Sequence, residues 1–426
     1  MTKRVFYSAI FAGVFGILVW HGIDAGLTAP PEDGDAADYD AIAFNIWQRW
    51  GYGYDWDGPE RRRFDWSAPE SQNVLDPQFS FYPTTYRPPA MPYLLALVYA
   101  LTHRSLAAWR IVNCAIMAGA ITFAAAISRR LAGVLAAVIT ALLALQSPDL
   151  TFYSHMLVTE GVATFLLTLL AWAWLRNGQK GWTTARAAGS GLVFGVLMAT
   201  RSIFVLWLPL TLVMPTTDDA ASPKNRWRLK AVCILVSLIV IGPWWVRNML
   251  VTDAFMPMGT QSAVNMPAGF GPRALRFEGM WAANPGDGAD EVAAQRWDPV
   301  TAEVQLAKFR SALTLKWMRE NPSDVLWLMY LHVWQETRPR GSLVDWLLPL
   351  AGVAGILFRK SPVVRVVALL VCANVCSIAL TWSVGGRFMV PLQPLLIALI
   401  AAMMAAAARF LMNLDTRSGD AAQAGQ

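Results

Sequence analysis

The stretch 106-LAAWRIVNCAIMAGAITFAAAISRRLAGVLAAVITALLALQ-146 holds two apolar runs, Leu106–Ser128 and Leu131–Gln146, separated only by Arg129 and Arg130. A helix that crosses a bilayer needs about 20 apolar residues, within a range of about 17–25. Lys and Arg collect in short cytoplasmic loops. The stretch therefore reads as a membrane hairpin whose basic turn faces the cytoplasm, and the same two rules thread the rest of the chain.

The composition agrees. Of 426 residues, 55% are hydrophobic and only 15% charged, with 20 Trp and a mean hydropathy of +0.39. Soluble globular proteins carry about 25% charged residues. A deficit of this size, concentrated in long apolar runs, excludes disorder, a coiled coil, a soluble dinucleotide-binding enzyme and a nucleic-acid-binding module. The net charge of +6 fits basic residues at cytoplasmic helix ends. Cys114, Cys233, Cys372 and Cys376 all fall inside apolar runs and form no C-x-x-C pair or disulfide framework. His21, His103, His155 and His332 are scattered and form no zinc motif.

Lys3 and Arg4 precede the first span, Val5–Trp20. Leu27-Thr28-Ala29 could serve as a signal cleavage site, but an uncleaved anchor is preferred because the remaining chain is itself polytopic. Pro88–Leu101 is apolar but short, and suits a juxtamembrane helix. With that segment left outside, the spans after the hairpin are Gly161–Leu175, Ala187–Met198, Ile203–Met214, Ala231–Val246, Leu343–Phe358, Val363–Trp382 and Met389–Met412. The threading then has about ten spans with both termini inside, and the clusters Arg129-Arg130, Arg176–Arg186, Lys224–Lys230 and Arg359-Lys360 share one side. Counting Pro88–Leu101 as a span would put Arg129-Arg130 and Lys224–Lys230 outside. Residues 1–412 form one transmembrane domain with external loops at 24–105 and 247–342, and 413–426 is a cytoplasmic tail expected to be disordered. Mid-span carboxylates, the mark of ion-coupled transport, are missing from the sequence.

In the first external loop Tyr39, Ile42, Ala43, Ile46, Trp47 and Trp50 recur at helical spacing, with Asp40, Gln48 and Arg49 off the stripe. The pattern predicts an amphipathic helix in the headgroup layer, with Asp35 or Asp38 at its positive N-terminal end. Acids at such positions commonly cap a helix. Beside a lipid-facing helix, a carboxylate also suits a general base acting on a lipid-linked substrate.

At this point the residues resemble a known family. Asp35-Ala-Ala-Asp38-Tyr39, Ala43, Asn45-Ile46 and Gly51-Tyr-Gly53 are similar to the D-[SA]-x-x-Y-x-x-x-A-x-N-L…G-x-G segment of glycosyltransferase C (GT-C) enzymes. These are polyprenyl-phosphate-sugar-dependent transferases related to protein O-mannosyltransferases and aminoarabinose transferases. Tyr86-Arg87-Pro88-Pro89 through Pro92 resembles their R-P-P/G-x-x-P segment. Gln146-Ser-Pro148, Thr159-Glu160, Thr200-Arg201, Pro243-Trp244-Trp245-Val246-Arg247-Asn248 and Gly386-Arg387-Phe388-x-x-Pro391 follow in the family's order. Each match alone is weak, and the ordered set is strong.

The resemblance implies an all-α polytopic membrane protein: a GT-C type bundle of about ten transmembrane helices with external juxtamembrane helices. It implies sugar transfer from a polyprenyl phosphate to an acceptor at the external face of a bacterial plasma membrane, with inversion. Asp35 becomes the leading candidate for the general base, Asp38 the fallback, and Glu160 a second acid that orients acceptor, binds sugar or helps hold a metal. Arg87, Arg201, Arg247 and Arg387 become candidates for the donor phosphate, whose geometry the guanidinium fork matches. Arg201 and Arg387 sit in very short external turns against the charge rule. Headgroup anchoring beside Trp244 and Trp245 is the other reading of Arg247. Tyr39, Tyr86 and Asn248 are candidate substrate contacts. No cofactor is required by the motifs, and a divalent metal is left open. The partners implied are the lipid-linked donor, a glycan, lipid or protein acceptor, and the bilayer, with no nucleic acid.

Three features depart from the pattern. Tyr54–Trp66, with Arg61-Arg62-Arg63, lengthens the first loop and reads as a solvated charge run. The segment Gly259–Asn265 lacks an expected Gly-Gly step. Pro285–Asp290 lacks EF-hand spacing and reads as a turn. Val325–Trp334 is too short to span and predicts a second surface helix. The competing classes are a polytopic lipid or polysaccharide transporter, for which no internal repeat is found, and a surface-glycan polymerase or ligase that relies on external arginines.

Overall fold

The computed structural model describes residues 2–24, 26–29, 34–49, 51–55, 81–213, 223–282, 297–339 and 346–423. The Arg61–Arg63 insertion, Trp50, the Pro285–Asp290 turn and the end of the tail lie outside them.

Helices α1 (Lys3–Asp24) and α2 (Asp35–Arg49) precede an antiparallel hairpin of β1 (Gly53–Asp55) and β2 (Phe81–Pro83), with Gly53 opposite Pro83 and Tyr54 opposite Tyr82. Then come α3 (Ala90–Thr102), α4 (Leu106–Leu145), α5 (Pro148–Tyr153), α6 (Glu160–Lys180), α7 (Thr184–Thr200), a 3-10 helix (Ser202–Val213) and α8 (Pro223–Thr252). The second polar segment folds as α9 (Gln261–Gly269), α10 (Pro272–Arg276), α11 (Pro299–Glu320) and α12 (Pro322–Thr337). The order finishes with α13 (Leu347–Leu357), α14 (Pro362–Ala379), a 3-10 turn (Arg387–Leu392) and α15 (Gln393–Gln423). Helix α15 thus continues through part of the expected tail.

The element α4 is the expected hairpin. Its helix breaks at Ala132 and Gly133, where Gly133 has φ +75°, a conformation open chiefly to glycine. Ser128 and Thr140 would lie about 18 Å apart on a straight helix. Instead their hydroxyls are 2.7 Å apart, so the two halves fold back on each other.

Five described helices are long and apolar enough to cross a membrane: α1, α4, α8, α14 and Arg387–Met412. Shorter apolar helices are Ala90–Thr102, Ser202–Val213 and Leu347–Leu357. The predicted span Ile203–Met214 is a 3-10 helix, whose larger rise stretches 12 residues to about 24 Å. At about 20 Å, α3 is too short for the ~30 Å hydrocarbon core, as its sequence predicts. Large apolar side chains stay exposed along these helices, among them Leu101, Ile239 and Leu250, as a lipid-facing surface requires. Trp109, Trp174 and Trp207 fill the interior.

The bundle has two chemically distinct ends. At one, Arg129 lies 5.0 Å from the ring of Phe6 near the start of α1, Arg409 approaches Gly133, and Arg228 reaches Thr184 at 3.1 Å. At the other, Arg110 caps the exit of α1 through the carbonyls of Leu27 and Ala29, at 2.6 and 2.7 Å. Arg110 and Arg129 are about 28 Å apart along α4, close to the thickness of a hydrocarbon core. The basic loops therefore gather at one end, while Asp35, Arg87, Glu160, Arg201 and Arg387 meet at the opposite end.

Helix α2 is buried well beyond its apolar stripe, at Asp38, Phe44 and Asn45 as well as Asp40. Asp40, off the apolar stripe, is buried all the same, because Tyr99 donates to its Oδ1 at 2.5 Å and Arg104 to its Oδ2 at 2.7 Å. That buried pair staples α2 to the end of α3.

Candidate active site

Gly34, at φ +80°, turns the chain into α2, so Asp35 and Asp38 fall in the first helical turn. The hairpin behind them explains the Gly51-Tyr-Gly53 motif. A Cβ on Gly53 would sit 2.1 Å from the carbonyl oxygen of Tyr82, and one on Gly51 would sit 2.5 Å from the ring of Phe81. Asn45 ties α2 to this hairpin by donating to the Gly53 carbonyl at 3.0 Å. Tyr52 donates to the Arg87 carbonyl at 2.8 Å, which fixes the backbone from which the Arg87 side chain projects.

Arg87 bridges both acids of α2. Its Nη2 lies 2.7 Å from Asp35 Oδ1 and 2.6 Å from Asp38 Oδ2, and its Nε donates to Asp38 Oδ2 at 3.0 Å. Its guanidinium carbon also stands 4.9 Å from the Tyr86 ring and 5.4 Å from the Tyr39 ring. The second oxygen of Asp35 meets Arg387 Nη1 at 2.8 Å. Arg387 turns its Nε to Glu160 Oε1, which also accepts from Arg201 Nη1 at 3.0 Å. The result is one continuous chain of charge, Asp38–Arg87–Asp35–Arg387–Glu160–Arg201.

Within this chain the residues differ in access. Glu160 is fully buried, and its Oε2 has no hydrogen-bond partner among the described residues. Its place in the first turn of α6 puts it at the positive end of that helix. Asp35 is the more open carboxylate, with 31% of its side chain exposed. Burial pushes its carboxyl up, but Arg87 and Arg387 outweigh burial and hold it down at about 2. Burial pushes the Tyr39 phenol up to about 12, so it stays a neutral donor.

Apart from Glu160, these groups border a cavity of about 810 Å³. Asp35, Arg87, Arg201 and Arg387 supply its charge, Tyr39 and Tyr86 one wall, and Ile203, Leu206 and Leu380 an apolar side. Asn265 and Trp281 reach in from the second polar segment, with Asn265 donating to the Tyr86 hydroxyl at 3.2 Å. Three predicted residues stand apart from the cavity lining: Glu160, held behind it by Arg201 and Arg387, and Arg247 and Asn248. Arg247 donates to the carbonyls of Thr84 and Tyr52 at 2.5 and 2.9 Å and packs against the Trp244 ring. Asn248 donates to the Pro257 carbonyl at 3.0 Å. Both brace the hairpin and the loop after α8. Sequence reading passed over Asn265, Trp281, Glu303 and Glu336, which lie in segments without a matching motif. Among the described residues no three His, Cys, Asp or Glu side chains form a metal-ligand set, because guanidinium groups engage the site carboxylates.

The multi-helical membrane body shares its fold, of the GT-C type, with solved membrane oligosaccharyltransferase structures. Residues 86–246 match the dolichyl-phosphate-mannose-protein mannosyltransferase family. No curated protein matches the sequence. Among solved structures, the apo oligosaccharyltransferase of Archaeoglobus fulgidus superposes with a TM-score of 0.55 at 12% identity, over 97% of this chain and 52% of that one. The same archaeal enzyme, AglB, in complex with an inhibitory peptide and a dolichol-phosphate gives 0.51, again at 12% identity and over 97% and 52% of the two chains. ArnT from Cupriavidus metallidurans bound to undecaprenyl phosphate gives 0.45 at 13% identity, over 94% and 78%. The chain thus spans about half the length of the oligosaccharyltransferase whose fold it shares.

Proposed function

We propose that the protein transfers a sugar from a polyprenyl-phosphate donor to an acceptor hydroxyl or phosphate, with inversion at the anomeric carbon. The observation that carries this reading is the sharing of Asp35 between Arg87 and Arg387 at the cavity wall. A carboxylate that must take a proton and two arginines that suit a phosphate already touch each other there.

In the proposed reaction Asp35 removes the acceptor proton, and the acceptor oxygen attacks the anomeric carbon from the face opposite the phosphate. The bond from that carbon to the phosphate oxygen breaks, and the electron pair leaves on polyprenyl phosphate. Arg87 and Arg387 face the charge that grows on this leaving group, with Arg201 beside them. When the phosphate draws both arginines from Asp35, burial and the incoming anion both raise the carboxyl, and its basicity increases. Glu160 keeps Arg201 and Arg387 aligned from below, and the neutral Tyr39 can donate to the sugar or phosphate.

The clustering of basic residues at one end of the bundle supports a cytoplasmic placing of that end, with the cavity on the external face, as in the proposed bacterial plasma-membrane topology with both termini inside. The capture of AglB with a dolichol-phosphate on the same fold supports a lipid-phosphate donor. The test is transfer of radiolabelled sugar from a panel of polyprenyl-phosphate sugars by membranes carrying wild type or Asp35→Asn. A general base contributes about 10²–10⁴-fold, so label should move with the wild type and fall by at least about 100-fold in the variant. Equal transfer by both would remove Asp35 from the chemistry.

A further inference from the structure

Each arginine that grips Asp35 sits on a short loop, and each loop is held by a carboxylate from the second polar segment. Glu303 on α11 accepts from the Thr85 amide at 3.0 Å and from the hydroxyls of Thr85, Thr84 and Thr260 at 2.9, 2.6 and 2.5 Å. Thr84 and Thr85 lead directly into Arg87. Glu336 on α12 accepts from the Val384 amide at 2.6 Å, the Ser383 hydroxyl at 3.0 Å and the Phe388 amide at 3.1 Å. These donors flank Arg387 on both sides. Between them lie Gly385 and Gly386, both at positive φ, so the loop's own backbone does little to fix the arginine.

We propose that Glu303 and Glu336 are positioning residues that set the placement of Arg87 and Arg387 for a donor phosphate, which makes the second polar segment a clip across the site. The inference rests on the transferase reading above, which supplies the phosphate. Carboxylates suit the task because they are acceptor-only, and these loops present mostly donors that cannot reverse.

The two acids should respond differently to amide substitution. Glu336 takes a backbone N–H on each oxygen, so Glu336→Gln sets an NH₂ group against an amide that cannot turn, whichever way the side chain flips. Glu303 takes its backbone N–H on Oε1 alone, and its Oε2 faces only the Thr84 hydroxyl, which can rotate and accept. Glu303→Gln should therefore be tolerated, whereas Glu303→Ala should not.

The experiment measures kcat, donor KM and acceptor KM for the full-length protein in detergent, together with direct binding of polyprenyl phosphate and thermal unfolding. Leaving buried groups unpaired costs enough to predict a loss of about 10- to 100-fold in polyprenyl-phosphate affinity for Glu336→Gln. Donor KM should rise with it, while acceptor KM holds and Glu303→Gln stays within about twofold of wild type. Wild-type phosphate affinity in a folded Glu336→Gln protein would overturn the clip, as would equal losses in the two Gln variants. If the wild type transfers none of the sugars, the transferase reading fails, and the binding comparison still decides the clip. Unfolding of Glu336→Gln transfers the decision to Glu303→Gln against Glu303→Ala, where equal affinities would refute it.

Discussion

In the proposed reaction, donor binding and the pH dependence of turnover should be linked through the arginines that Asp35 shares. In the free protein, burial raises the Asp35 carboxyl, but Arg87 and Arg387 win and bring it from its ordinary 3.8 to about 2. At about 1.4 kcal/mol for each pH unit, this is worth on the order of 2 kcal/mol. The folded value lies below the unfolded one, so the stabilisation is complete above about pH 4 and is lost as the pH falls through about 2. Once a phosphate occupies both arginines, the lowering interactions are gone, while burial and the new anion both raise the carboxyl. The acid limb of kcat/KM reports the free enzyme, and the limb of kcat reports the donor complex. The kcat limb should therefore lie at least about 2 pH units above that of kcat/KM. Initial rates of sugar transfer from about pH 3 to pH 8, at saturating and at limiting donor, should place the kcat limb inside that range and leave kcat/KM flat down to its acid edge. Arg387→Gln removes one lowering partner in the free state, so its kcat/KM limb should move up and close about half the gap. Coincident limbs in the wild type would refute the sharing of arginines between base and phosphate.

Two further substitutions separate support from chemistry. Glu160→Gln leaves Arg201 without its carboxylate in a buried site, and breaking such a pair costs about 3–5 kcal/mol. Thermal unfolding in detergent should show that loss, and a melting point near the wild type would count against a structural ion pair. Arg247→Gln gives up the carbonyls of Thr84 and Tyr52, at a cost of about 1–3 kcal/mol. Its effect should appear in unfolding, with any loss of polyprenyl-phosphate affinity no larger than that of Glu303→Ala, which frees the same Thr84 segment. Weakened affinity at full stability would make Arg247 a phosphate ligand.

The membrane class was legible in the sequence because the bilayer imposes it on composition, and the α4 hairpin because Arg129 and Arg130 punctuate two apolar runs. The motif matches located Asp35, Arg87, Glu160, Arg201 and Arg387, which lie in five distant parts of the chain and meet in space. The same motifs gave no sign of which candidates would border the cavity. Arg247 follows two tryptophans, as a headgroup anchor or a phosphate ligand also would, and its carbonyl partners 163 and 195 residues away leave no local signal. Asp40 looked solvated because Arg104, its partner, lies 64 residues on. Glu303 and Glu336 were illegible for a related reason: their partners are mostly backbone amides and hydroxyls, which any sequence offers everywhere.

The charge balance of the site fits the proposed reaction at each stage. Asp35, Asp38 and Glu160 carry three negative charges, and Arg87, Arg201 and Arg387 three positive ones, so the linked cluster is neutral before the donor arrives. A phosphodiester donor brings one negative charge and competes with carboxylates for the same guanidiniums. Asp35 is the carboxylate that can yield, since it is the most exposed of the three and holds its arginines by single contacts, whereas Asp38 takes two hydrogen bonds from Arg87. As the bond to the sugar breaks, the phosphate gains a second negative charge, and in the same step the acceptor proton arrives on Asp35 and cancels one. The arginines thus lose their claim on Asp35 as the leaving group's claim doubles. Total charge in the cavity is unchanged across the transfer, which matters in a site walled by apolar side chains, where an uncompensated charge is costly. A carboxylate that shares both arginines before the donor arrives, which would weaken a base acting in isolation, is in the proposed reaction the arrangement that lets proton transfer and leaving-group departure offset each other.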